Sequence, residues 1–271
     1  MNKENILSKI SKMSEEELID LACNTSDVEI LKILAVNDNY DVRTAVAGNE
    51  NTPVELLAVL AQDEDSWVRQ AVALNENTSK ETLDVLASDK DWWVRIDVAE
   101  NKNTSIETLA MLAKDEDRDV REAVAKNGNT SADVLAILAQ DEDGRVRSAV
   151  AENINTPIEL LSVLAQDKHW LVRQTVAKNE NTPKETLAVL ADDCDLGIRQ
   201  NVAGNKNAPK EALVKLAGDR DYGVRKAVVN NPNTSYNTLL MLSKVKAVEI
   251  REKAKEVLKE RALKANTNKE R

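Results

Sequence analysis

Apolar residues in this chain recur on two nested periods. Within a segment they fall three and four apart, as Leu57, Leu60 and Ala61 do. The same set returns 26 residues on as Leu83, Leu86 and Ala87, then as Leu109, Leu112 and Ala113, onward to Leu239 and Leu242. Spacing of three and four marks one face of an α-helix, so each set predicts a helix A with its apolar stripe turned inward. Val68, Ala71 and Val72 then mark a second helix B, short at about eight residues. The 26-residue period shows most plainly in a β-branched residue followed by arginine: Val42-Arg43, Val68-Arg69, Val94-Arg95, Val120-Arg121, Val146-Arg147, Val172-Arg173, Ile198-Arg199, Val224-Arg225 and Ile250-Arg251. A two-helix unit is too small to bury its apolar face alone and must stack on its neighbours, so the pattern predicts an all-α solenoid of about nine repeats. The expected organisation is a capping segment over 1–24, tandem repeats over 25–251, and a capping helix with a basic tail over 252–271.

Polar positions punctuate each unit. Thr52-Pro53-Val54-Glu55 reads as a capping box with proline at the first helical position, repeated at Thr78/Glu81, Thr104/Glu107, Thr156/Glu159 and Thr182/Glu185. The acidic turn Asp63-Glu64-Asp65 closes helix A and offers Asp65 as the N-cap of helix B. Asn75 and Asn77, recurring through Asn231 and Asn233, are expected to turn the chain in left-handed backbone and to stack into ladders. Ser14 and Glu17 predict a further capping box, and Ile250, Ala254, Val257, Leu258 and Ala262 one stripe of the last helix.

The string Asp-x-x-Val-Arg-x-Ala-Val-Ala-x-Asn-x-Asn-Thr-Pro-x-Glu-x-Leu-x-x-Leu-Ala resembles the leucine-rich repeat variant (LRV) family, a relative of the HEAT-like α-solenoids. Arg69-Gln70-Ala71-Val72-Ala73, Asn75, Asn77-Thr78 and Leu83-Asp84-Val85-Leu86-Ala87 carry the match. The resemblance implies a right-handed superhelix of two helical layers, one of them short and often 3₁₀-like, which assigns partial 3₁₀ character to helix B. Family members with an iron–sulfur cluster hold it with clustered N-terminal cysteines. Here the N-terminal region offers only Cys23, so no cofactor is carried over.

Composition narrows the function classes. The chain is 42% hydrophobic and 31% charged with five prolines and seven glycines, which is globular and helix-compatible. No apolar run approaches the roughly 18 residues of a membrane span. Met1-Asn2-Lys3-Glu4 leads into no signal-like segment, and Cys23 and Cys194 are solitary, so a cytoplasmic protein without a metal or cofactor is expected. Net charge is −10, but Lys244 to Arg271 holds ten basic and five acidic residues, which leaves −15 on residues 1–243. An acidic body of this kind repels phosphate backbones, so nucleic acid is not the expected partner.

Three sets of residues are candidates for chemistry. Arg43, Arg69, Arg95, Arg121, Arg147, Arg173, Arg199 and Arg225 form a row. Aspartates stand four residues before several of them, as Asp65 does before Arg69, which predicts a structural ladder of ion pairs or cap-to-arginine bonds rather than a phosphate site. His169, the sole histidine, replaces one of those aspartates and has no catalytic partners, while Asp141-Glu142-Asp143-Gly144 lacks the later ligands of a calcium loop. No catalytic constellation is expected.

The aromatics depart from the repetition. Tyr40, Trp92, Trp170 and Tyr222 share one slot before Val-Arg or Asp-Val-Arg, and Trp67 and Trp93 share the next; counting 100° per residue sets the first slot away from the core. Either each ring stacks on an arginine of its own or the next repeat, or the rings, with Leu171 beside them, form an apolar binding edge. The function expected is a non-enzymatic scaffold binding a protein partner along helix B. The alternatives are a nucleic-acid-processing protein like the HEAT-like alkylpurine DNA glycosylases, and a domain that associates with itself.

Overall fold

The computed structural model describes residues 3–267, which contain twenty helices and no strand. Helix A spans seven residues in each repeat, as in Val54–Leu60 and Lys80–Leu86. Helix B spans nine, as in Tyr40–Gly48, Ser66–Leu74 and Trp92–Glu100. Helix B is therefore the longer of the two, and it is α-helical throughout instead of partly 3₁₀. A side-chain cap holds its start, where Asp65 accepts from the Trp67 N–H at 2.8 Å. The array divides into two compact units, one ending at Leu138 and the other beginning at Ala139.

Within each unit, helices B stack directly on one another while helices A meet less closely. Small side chains permit that approach: Ala47, Ala73 and Ala99 in the first unit and Ala151, Ala177 and Ala203 in the second are fully buried. Leu57 and Leu60 of helix A close over Val68 and Val72 of helix B, all of them essentially without exposure. Each such side chain contributes about 1.5–3 kcal/mol by leaving water.

The turns differ from the sequence expectation in two respects. The threonines do not cap helix A. Thr52 Oγ1 instead donates to the carbonyl of Val46 at 2.6 Å, and Thr78, Thr104 and Thr182 repeat the bond to Val72, Val98 and Val176. Each threonine is buried under the turn, where the nearest orphan group is a carbonyl at the end of helix B. Capping of helix A falls one residue later. Ser79, Ser105 and Ser235 accept from backbone N–H groups, whereas Pro53, Pro157, Pro183 and Pro209 cap by conformation alone. The box at Ser14 and Glu17 is present as expected.

The asparagines do not adopt left-handed backbone. Asn75 has φ −69° and ψ 124°, and no residue other than glycine has positive φ among those described. The side chain performs the turn's work: Asn75 Oδ1 accepts from the Asn77 N–H at 2.9 Å, while Nδ2 donates to the carbonyls of Ala47 at 2.7 Å and Asn49 at 3.1 Å in the preceding repeat. Asn101, Asn205 and Asn231 bridge to their preceding repeats in the same way. Asn101→Ala would strand two buried carbonyls, so it is expected to lower stability by about 1–3 kcal/mol, read as a shift in the urea midpoint. A surface change such as Glu76→Ala should leave the midpoint in place.

Candidate interaction edge along helix B

The arginine row lies between repeats. Arg43, Arg69 and Arg95 in the first unit pair with Asp63, Asp89 and Asp115 at 2.7, 2.5 and 2.6 Å; in the second, Arg147, Arg173 and Arg199 pair with Asp167, Asp193 and Asp219 at 2.6, 2.6 and 2.7 Å. The carboxylate is thus twenty residues ahead, in the next acidic turn, and not the aspartate four residues behind. Where that nearer residue is Asp65, Asp143 or Asp195 it is engaged as an N-cap, while Asp91 is itself drawn back to Arg69 at 2.7 Å, and the long arginine side chain reaches across the stack instead. Nη1 of Arg69 also donates to the carbonyls of Asp63 at 2.8 Å and Glu64 at 3.1 Å. Arg121 donates to the carbonyls of Asp115 and Glu116, and Arg225 to those of Asp219, Arg220 and Asp221.

Burial disfavours the charged carboxylate at Asp63, Asp89, Asp167 and Asp193. The guanidinium bond and the N–H two residues ahead outweigh burial, and each titrates below the usual carboxylate range. At Asp219 the Arg199 bond is itself the largest influence, again downward. His169 occupies the aspartate cap position and does its work: Nδ1 accepts from the Leu171 N–H at 3.3 Å. Gly144 makes room for its ring, since a Cβ there would meet His169 Cγ at 2.8 Å.

The aromatic side chains lie at the surface of helix B. Trp67, Trp92 and Trp170 are 58%, 42% and 51% exposed, Tyr40 is also exposed, and Trp93 and Leu171 are half-buried. Trp92 and Trp93 meet edge to face at 5.7 Å, and Trp170 stacks on His169 at 6.1 Å. The paired guanidiniums face carboxylates and carbonyls, and the cation found over a ring is Lys226, 6.0 Å from Tyr222. Tyr222 also donates to Glu249 of the helix Val248–Thr267, which ties this ring to the C-terminal end.

Two features were not anticipated. Val59, Val85, Met111 and Ile137 in the first unit, and Val163 and Val189 in the second, are exposed apolar residues at one slot of helix A. The Leu-x-x-Leu spacing already contained it, since the third residue is apolar in nearly every repeat. The second is Asp97. Its slot holds Ala45, Ala71, Ala123, Ala149 and Ala227 in other repeats, yet here it carries a carboxylate only 8% exposed. Oδ2 of Asp97 is buried without a hydrogen-bond partner, as are Trp93 Nε1 and Thr44 Oγ1. Desolvation raises the Asp97 pKa, opposed by a hydrogen bond from Gln70 and reinforced by Glu100. Aligning the repeats by slot would have exposed this acid among alanines.

The repeat pattern of "Leucine rich repeat variant" matches residues 40–65. A solved structure described as a leucine-rich repeat variant with a novel repetitive protein structural motif is 31% identical, with 79% of this chain and 82% of that chain covered, at a TM-score of 0.58. The chain belongs to the leucine-rich repeat variant family. An engineered protein matches at 17% identity (96% of this chain, 98% of that one, TM-score 0.40), and importin beta at 11% (89% and 39%, TM-score 0.39). No curated protein matches the sequence. No helix among the described residues of this leucine-rich repeat variant is long and apolar enough to cross a membrane.

The two classes of carboxylate make opposite pH predictions. Asp63, Asp89, Asp167, Asp193 and Asp219, lowered in the fold, contribute stability that is present above about pH 3.9, the unfolded value, and lost as pH falls through their folded values. Asp97, raised in the fold, contributes stability that is full below that value and lost as pH rises through its folded one. Asp97→Asn should therefore melt close to wild type near pH 3.5 and gain on it towards pH 7; urea melts across that range read the gap.

Proposed function

We propose that this protein is a non-enzymatic scaffold that captures a protein partner along the helix B edge. One observation carries the reading: Trp67 and Trp92 in the first unit and Trp170 in the second are large, exposed rings on helices B whose paired arginines are turned to carboxylates. Rings that are exposed and not stacked on the arginine ladder are suited to be interface anchors, since buried aromatics dominate binding energy in protein interfaces. A stacked array also offers an extended surface. Tyr40 and Trp93 belong to this edge in the first unit and Leu171 in the second, where Tyr222 is engaged by Glu249.

The nucleic-acid reading finds little support on this edge. Asp97, Glu100, Asp119 and Glu122 lie on the helices B that carry or follow the tryptophans, and residues 1–243 carry −15. Affinity capture from the native cell, using wild type and single Trp67→Ala, Trp92→Ala and Trp170→Ala variants, tests the scaffold reading. Each variant should retain its helical signal and melting temperature and recover at least about fivefold less partner. Lowered melting with undiminished recovery would reject the edge. Duplex DNA retarded at moderate salt would favour the nucleic-acid alternative.

A further inference from the structure

Polar replacements in the small-residue slot of helix B are satisfied in two other repeats. Thr175 Oγ1 lies 2.8 Å from Ser148 Oγ and donates to the carbonyl of Leu171 at 3.0 Å, and Asn201 Nδ2 donates to the carbonyl of Gln174 at 3.5 Å. Asp97 differs: it shares Gln70, and its other oxygen has no partner although the residue is more than nine-tenths buried. A buried carboxylate oxygen left unbonded costs free energy that an alanine would not. The scaffold gains nothing evident from it.

The surroundings indicate what would satisfy it. Trp93 stands one turn before Asp97 on the same helix, so both share a face. In the second unit the side chain of Gln200 lies 3.3 Å from where a Cβ of Gly223 would sit, and that of Gln174 lies 3.0 Å from where a Cβ of Gly197 would sit. The same offset sets Gln70 against Trp93 and Thr44 against Trp67. Trp67, three residues before Gln70, shares its face of Ser66–Leu74. Trp93 thus stands on the face of an acid with an unused acceptor, Trp67 lies one repeat before it on the face of Gln70, and Glu100 adds further negative charge.

We propose that Asp97, with Trp93 on its own face and Trp67 one repeat before, is an anchor for a cationic side chain, guanidinium or ammonium, of the protein partner. The cation lies against the indole faces and donates to Asp97 Oδ2, combining a cation–π contact with a charge-assisted hydrogen bond. Oδ2 is shielded from solvent, so the half-exposed Trp93 ring turns aside on entry, a rotamer change of the kind surface side chains make rapidly. The displaced Trp93 N–H, unbonded in the free protein, becomes available to a carbonyl beside the cation. The anchor rests on the reading of this edge as the partner-binding surface.

Titrating the full chain at low salt with acetylated, amidated Gly-Arg-Gly, Gly-Lys-Gly and Gly-citrulline-Gly, followed by the indole N–H resonances, tests it without the native partner. The arginine and lysine peptides should bind and shift the Trp93 resonance, with citrulline about tenfold weaker or more. Asp97→Asn should weaken the arginine peptide about tenfold while melting no lower than wild type, and Trp67→Leu should weaken it several-fold. Asp97→Ala should melt higher and fail to bind. Citrulline binding as well as arginine, Asp97→Asn binding unchanged, or no peptide binding would each overturn the anchor. If the peptides fail while the tryptophan variants still lose the captured partner, only the anchor falls. If they bind as expected but no partner is captured, only the scaffold reading falls.

Discussion

Sixteen helical residues in every 26 leave the rest of each repeat in turns, and those turns carry the constraint on which the structure depends. Short helices expose many unpaired carbonyls and N–H groups for their length, and stacking buries most of them. A repeat cannot satisfy these groups internally. The asparagine amides and the arginine guanidiniums do so across the gap, the first reaching back to the carbonyls of the preceding repeat and the second reaching forward to the next acidic turn while holding the carbonyls of their own. Hydrophobic burial drives the stacking, and the two polar ladders set how each repeat registers on the next.

The same constraint explains the ends. The last helix, Val248–Thr267, buries Ile250 and Ala254, and its Arg261 donates to the carbonyls of Thr234 and Pro232, completing for the final turn what an asparagine of another repeat would have done. Glu249 is drawn to Lys226 at 2.7 Å and to Tyr222 instead of to its helical neighbour Lys253. The helix Glu15–Asn24 and its C-cap Thr25 supply the carbonyls of Ala22, Cys23 and Thr25 to Asn49.

Positions that obey the period serve the stack, and departures from it are where function is to be sought. His169 departs in identity but not in role, because its ring nitrogen caps the helix as an aspartate would. Trp67, Trp92 and Trp170 depart in both, placing exposed rings in slots that hold Ser66, Arg118, Gly144, Asp41, Asp119 or Gly197 in other repeats. Asp97 departs most, since it introduces an unsatisfied buried oxygen where alanine would suffice.

The sequence by itself determined the two-helix repeat, its period, the inward leucines and valines, the Asp65 cap and the outward placement of the tryptophans, because helical spacing and stacking are local and repetitive. Long side chains escaped it. An arginine has several carboxylates within reach, and only the stacking offset selected Asp89 over Asp65 for Arg69. The threonines are capable caps in isolation, but burial under the turn brought their hydroxyls to the carbonyls of the preceding helix. Asparagine tolerates left-handed backbone, yet a neighbouring repeat offering carbonyls made extended backbone the better choice. Asp97 was visible as an acid among alanines, but that its Oδ2 is buried and unbonded while Gln70 bonds the carboxylate was decided only by the stacking of neighbouring repeats.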